Sequence, residues 1–156
     1  MDGLPVTVRV GPGVIDPAAE QAALVAGRSD IGAVVTFTGL CRDEGGSLGL
    51  LELEHYPGMA EAEITRICAE ACRRWPLKAV SAIHRVGPIR PGETIVVVVA
   101  ASAHRQAAFD GANFIMDFLK TSAPFWKKEH GRDGVAGEWV AARDADDAAR
   151  LRWQTD

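Results

Sequence analysis

No apolar run in this chain reaches the roughly 18 residues of a membrane-spanning helix. The longest, Ile95 to Ala101, has the length of a strand. The start, M-D-G-L-P-V-T-V-R-V, lacks a basic segment followed by an apolar one, so no secretion signal is read and the cytoplasm is the expected location. Cysteine is scarce. Cys41, Cys68 and Cys72 are an odd set that cannot pair completely within one chain, which favours reduced thiols. An excess of basic charge is also missing: 17 Lys and Arg stand against 21 Asp and Glu. That balance argues against general nucleic-acid binding but leaves room for a small anion in a local basic pocket. The patterns G-x-x-x-x-G-K-[ST], G-x-G-x-x-G and H-E-x-x-H do not occur, which removes the commonest phosphate loops and the zinc-protease helix.

What is present is ordinary for a folded domain: 47% apolar and 24% charged residues over 156 positions, long enough to bury a core without staples. Val6 to Val10 alternates as a strand. Asp16 followed by Pro17 reads as an N-cap and first helical residue, and the Ala-rich stretch after it ends at Gly27. Ile31 to Arg42 is β-branched and strand-like, Asp43 to Ser47 is a turn, and Gly49 to Tyr56 alternates again. From Met59 to Trp75 the period becomes helical, with Ile64, Ile67, Cys68, Ala71 and Trp75 on one face. A strand is expected near Val80 to Val86, a turn at Pro88 to Glu93, and a strand buried on both faces at Thr94 to Ala101. A second long helix spans about Ala103 to Thr121, striped by Ala108, Ala112, Ile115 and Leu119, with Phe114 and Phe118 flanking. The tail reads as a hairpin and a short terminal helix. The order β-α-β-β-α-β-β-α-(β-β) predicts an α/β or α+β sandwich in one domain, residues 1–156, with a small extra β element.

Lysines carry the chemistry of most interest. Lys120 falls in the last turn of the second long helix, where a cation complements the helix terminus. Lys127 follows Phe125 and Trp126 and reads, alone, as a solvated strand residue. A lysine beside bulky aromatics is partly desolvated, and that makes a usable acid, base or nucleophile; both readings stay open. His104 and Arg105 begin the same helix. They form either an anion site at free N–H groups or two exposed side chains behind Ser102 as N-cap. Arg42 ends a strand before a Gly-rich loop. Cys68 belongs to the apolar stripe and Cys41 to a strand, so packing is the expected role of both. His55 and His84 are expected to be packed or exposed rather than ligands.

The strings A-V-V-T-F-T-G-x-x-R, L-E-H-Y-P-G-M, R-W-P-L, I-H-R-V-G, S-A-H-R, F-I-M-D-F-L-K-T and A-P-F-W-K-K-E stand here in one order. Together they resemble the family of molybdopterin synthase catalytic (large) subunits, over about Val6 to Trp153. The resemblance implies an α/β hammerhead-type sandwich with a small additional β subdomain. It implies a homodimer within a heterotetramer, each end carrying a small ubiquitin-like sulfur-carrier subunit with a C-terminal Gly-Gly thiocarboxylate. The implied reaction moves two sulfurs onto cyclic pyranopterin monophosphate, forming the dithiolene of molybdopterin, with no bound cofactor or metal. By matching position, Lys120 and Lys127 look like the catalytic lysines. Arg42, His104 and Arg105 look like substrate-binding residues, extended by Lys128 and Glu129, and Arg143 matches an arginine near the pocket. The loop after Arg42 looks shorter than the family pattern. His104 and Lys120 are about 24 Å apart on one continuous helix, so a single pocket using both is expected to be composite, at a homodimer interface. Two rival readings are a non-catalytic scaffold that docks a ubiquitin-like partner through Phe125 and Trp126, and a different anion-binding enzyme such as a phosphotransferase.

Overall fold

The computed structural model describes residues 5–43, 45–122, 124–134, 136–140, 151 and 153–154. Its elements run β1 (Val6–Gly11), α1 (Pro17–Val25), β2 (Ala33–Leu40), β3 (Leu48–His55), α2 (Met59–Arg74), β4 (Leu77–Arg85), β5 (Gly87–Ile89), β6 (Thr94–Ser102), α3 (Arg105–Thr121), β7 (Phe125–Gly131) and β8 (Ala136–Val140). They form two four-stranded sheets, ordered β1-β4-β6-β2 and β5-β3-β7-β8. In the first sheet β1 and β4 are parallel and the other pairs antiparallel; the second is antiparallel throughout. The expected mixed α/β architecture with an extra β element is what forms.

β6 explains why the first sheet needs helices on both sides. Its side chains alternate between two cores. Val96, Val98 and Ala100 pack with Ile64, Ile67, Cys68, Ala112 and Ile115 of α2 and α3. Val97 and Val99 pack on the other face with Ile15, Ile83 and the partly buried Leu24 of α1. An apolar run without alternation is therefore the signature of a strand covered twice. The helices form as their sequences direct. Asp16 caps α1, its carboxylate accepting from the Ala19 N–H at 3.2 Å. The stripe Ile64, Ile67, Cys68 and Ala71 of α2 is buried, and Trp75 follows as C-cap, edge-on to Phe114 and Trp153. On α3, Phe114 joins the core instead of flanking it. Ile115 is wholly buried at the centre of this packing. Ile115→Ala is expected to destabilise the fold by about 2–5 kcal/mol, read as a lower urea midpoint.

Three local readings change. β4 begins at Leu77, earlier than expected, because Leu77 already pairs with Ser102 and the buried Ser102 hydroxyl donates to the Pro76 carbonyl at 2.9 Å. The same hydroxyl oxygen accepts from the His104 N–H at 3.5 Å, and His104, not Ser102, stands at the N-cap position of α3, with no side-chain cap hydrogen bond of its own. The turn at Pro88 contains a short strand, β5, at the edge of the second sheet, where a proline's missing N–H costs no ladder bond. Gly87, with φ +83°, turns the chain from one sheet into the other. The expected short terminal helix lies largely outside the described residues.

Candidate active site

Lys120 projects from the exposed last turn of α3, and Lys127 is half-buried on β7. The chain between them is short, and Phe125 opens β7 opposite His55 of β3. Strand alternation sends successive β7 side chains to opposite faces of the sheet. Lys127 stands opposite Leu53 and Glu129 opposite Leu51. Leu51 and Leu53 belong to a small core with Cys41 and Ile89. Lys127 and Glu129 therefore face the Cys41 side of the sheet. Burial pushes the Cys41 thiol up, the Lys127 charge opposes that, and Glu129 reinforces it, which agrees with this placement. Lys128 stands opposite Glu52 on the other face, where Glu52 pairs with His130 at 3.5 Å. The segment expected to act as one run of binding residues is thus split: Lys127 and Glu129 on one face, Lys128 on the other.

Arg42 follows Cys41 directly and is exposed. Cys41 is held on both sides by the β5–β6 turn, its N–H donating to the Glu93 carbonyl at 2.8 Å and its carbonyl accepting from Gly92 N–H at 2.7 Å. That clamp fixes the stem from which the exposed Arg42 emerges. Arg143 lies outside the described residues.

Two histidines expected to be packed or exposed flank Phe125, and one of them, His84, lies near Lys120. His84, on β4, is 9% exposed, and its ring lies flat on Phe125 with centroids 3.9 Å apart and 16° between planes. Its Nδ1 is 2.9 Å from the Arg85 carbonyl, so Nδ1 carries the proton and donates. Loss of solvation, joined by the nearby charge of Lys120 and then by His55, outweighs that hydrogen bond and lowers the ring's pKa to about 4. His55 lies 6.4 Å from Phe125, and its Nε2 is 3.7 Å from Oε1 of Glu61, whose other oxygen accepts from the Gly58 N–H at the start of α2. The signal available in sequence was a histidine at an inward position of an otherwise mostly apolar strand. Burial alone did not say what it faced.

The sign of the His84 shift gives a pH prediction. The folded pKa lies below the ordinary value near 6.5, so the unfolded chain takes up the proton first. This contribution to stability is complete above about pH 6.5 and is lost as pH falls toward 4, with an amplitude on the order of 3 kcal/mol. Urea unfolding at pH 7, 5.5 and 4 reads it, and the decline between pH 6.5 and 4.5 is expected to flatten in His84→Phe.

His104 and Arg105 lie at the opposite end of α3 from Lys120, both exposed. Gly32 braces that end: its N–H donates to the Ser102 carbonyl at 2.9 Å, and a β-carbon there would sit 2.2 Å from the Ala103 carbonyl oxygen. α3 is unbroken from Arg105 to Thr121. Arg105 and Lys120 are therefore about 22 Å apart along one helix, and one protomer does not bring them together. Among the thiols, Cys68 is fully buried and its pKa is pushed up to about 12, first by burial, so it stays protonated and packs as a small apolar group.

No helix among the described residues is long and apolar enough to cross a membrane. A profile of the family described as MoaE protein matches residues 12–122. Over 149 residues the chain is 71% identical to the molybdopterin synthase catalytic subunit of Rhizobium meliloti, covering 96% of each chain. It is 65% identical to that of Mesorhizobium japonicum, covering 96% of this chain and 94% of the relative. Among solved structures, the molybdopterin biosynthesis MoaE protein from Burkholderia ambifaria superposes with a TM-score of 0.83 at 47% identity, over 97% of this chain and 99% of that one.

Proposed function

The chain belongs to the MoaE protein family, and we infer from that membership that it works as the catalytic subunit of molybdopterin synthase, transferring sulfur in molybdenum cofactor biosynthesis. The finer reading is that sulfur comes from the C-terminal thiocarboxylate of a small ubiquitin-like carrier and goes to cyclic pyranopterin monophosphate, in the cytoplasm. The observation that carries the function is similarity to catalytic subunits over nearly the whole chain. The geometry adds support for the residues: Lys120 and Lys127 stand at the two ends of the short α3–β7 connection, and Arg42 follows directly on Cys41, whose thiol feels the Lys127 charge.

Such a transfer sets the chemistry required of the site. The thiocarboxylate sulfur adds to an electrophilic side-chain carbon of the pterin, and an oxyanion develops on that carbon. A fixed cation beside it lowers the barrier. We assign that part to Lys120, which also can protonate the oxyanion to a hydroxyl; the hydroxyl then leaves as water with a proton from the neighbouring carbon, and a carbon–carbon double bond forms that carries the thioester. Water then cleaves the thioester, leaving the sulfur on the pterin and a carboxylate on the carrier. Lys127, half-buried beside Cys41, is assigned to hold the thiocarboxylate or the phosphate. Arg42, His104, Arg105, Lys128, Glu129 and Arg143 are proposed to bind substrate, with His104 and Arg105 supplied by the second protomer of a homodimer, because α3 separates them from Lys120 by about four turns.

The patch on which the scaffold reading relies is divided. Phe125 and Trp126 point to opposite faces of β7; Phe125 is stacked on His84, and the exposed Trp126 instead meets Tyr56 edge-on at 6.5 Å. The deciding experiment mixes the purified chain with a thiocarboxylated Gly-Gly carrier and cyclic pyranopterin monophosphate. Molybdopterin is the expected product, and carrier binding without product would return the scaffold reading.

A further inference from the structure

His84 has no part in the chemistry assigned to the lysines, yet burying an imidazole costs solvation that an aliphatic side chain at the same place would not. Its strand, β4, is otherwise almost wholly apolar on its buried positions. Three observations give the ring a task. It lies flat on Phe125, 3.9 Å between centroids and 16° between planes. Its Nδ1–H donates to the Arg85 carbonyl at 2.9 Å, which fixes the rotation of the ring about its own bond. And Phe125 is the first residue of β7, five positions after Lys120 and two before Lys127.

The groups around the ring come from different elements: Lys120 from α3, His55 from β3, Phe125 from β7 and the Arg85 carbonyl from its own strand. β4 lies inside the first sheet and β7 inside the second. The stack therefore joins the two sheets at the point where the chain passes from α3 into β7. We propose that His84 is a positioning residue: its ring, stacked on Phe125, sets where β7 begins and so holds Lys127 at its working separation from Lys120. The inference rests on the sulfur-transfer function proposed for the chain and deepens it.

A ring is needed because a flat partner restrains both the tilt and the sideways position of Phe125, whereas a branched aliphatic side chain restrains neither. An imidazole serves better than a phenyl because the Arg85 carbonyl locks its rotation, and because the unprotonated Nε2 faces no penalty from a nearby ammonium. Displacement of Phe125 is transmitted two residues along a strand to Lys127. A catalytic group misplaced by about 1 Å loses on the order of a hundredfold in rate.

The test is steady-state synthesis of molybdopterin by the full chain with its thiocarboxylated carrier, comparing His84→Leu, His84→Phe and Phe125→Leu. In His84→Leu, kcat is expected to fall about 10- to 100-fold with KM for the pterin changed less than about twofold. His84→Phe, which restores a flat ring, is expected to return to within about threefold of wild type. Phe125→Leu removes the stack from the other side. It is expected to match the kcat loss, and the double variant to be no worse than either single one. It also decides the matter if His84→Leu does not fold. Wild-type kcat in a folded His84→Leu or in Phe125→Leu overturns the proposal, as does a His84→Phe enzyme as slow as His84→Leu, or a loss confined to KM. A wild-type chain that makes no product overturns the sulfur-transfer reading and this inference with it. Active wild type with unaffected variants overturns the positioning role alone.

Discussion

Lys120→Ala is expected to form molybdopterin about a hundred- to a thousandfold more slowly than the wild-type chain, with little change in thermal stability. The two halves of that expectation have separate causes. Lys120 is exposed on the last turn of α3, and the residues that hold the helix in place are on its buried face. Truncation there gives up the favourable placement of a cation at a helix C-terminus, about 0.3–1 kcal/mol. In the mechanism proposed for the chain the same charge faces a developing oxyanion, where one preorganised partner is worth far more. Lys120→Arg separates two ways of supplying it. Arginine keeps the charge but does not surrender a proton near neutral pH. Recovery in Lys120→Arg assigns the residue to charge stabilisation, and failure to recover assigns it to proton donation. A Lys120→Ala enzyme with wild-type turnover in the purified system would remove the lysine from the chemistry.

Mixing inactive Lys120→Ala and Arg105→Ala chains under conditions of subunit exchange is expected to restore about a quarter of wild-type activity. The fraction comes from symmetry. Random exchange puts half of the dimers in the mixed form. In each of these, one site joins the Lys120 of one protomer to the Arg105 of the other, and the second site carries both lesions. The reason to expect a site built in this way is the length of α3, which places Arg105 about 22 Å from Lys120 within one chain. Verified mixed dimers that remain inactive would show that the two residues do not serve one pocket across the interface.

The elements legible in sequence were those whose period was set by burial. β6 announced itself by an apolar run without alternation because both its faces are covered. α2 announced itself by its stripe because only one of its faces is. β5 could not be read: three residues around a proline gain their strand geometry from β3, which is remote in sequence. Ser102 as a helix cap is one of two open readings in sequence, because serine before a helix commonly is one; its hydroxyl donates to Pro76 and accepts from the His104 N–H. The lysines were legible as chemistry only through the resemblance, since each has an ordinary place at a helix end or on a strand. The strand pattern leaves His84 either packed or exposed and does not show it as a neighbour of Lys120, because that proximity is created by elements remote from β4 in sequence.

The pairing of β3 with β7 sets opposite one another residues about seventy positions apart, His55 with Phe125 and Leu53 with Lys127. Closing so long a loop costs chain entropy before the ladder returns any of it, so contacts of this kind form late on the folding pathway. The helices need no such closure. A chain halfway to its native state would therefore hold Lys120 on a formed helix while Lys127 was still far from it. On the roles proposed for the two lysines, catalytic competence is thus acquired at the last stage of folding, and an incompletely folded subunit has half a site rather than a weak one.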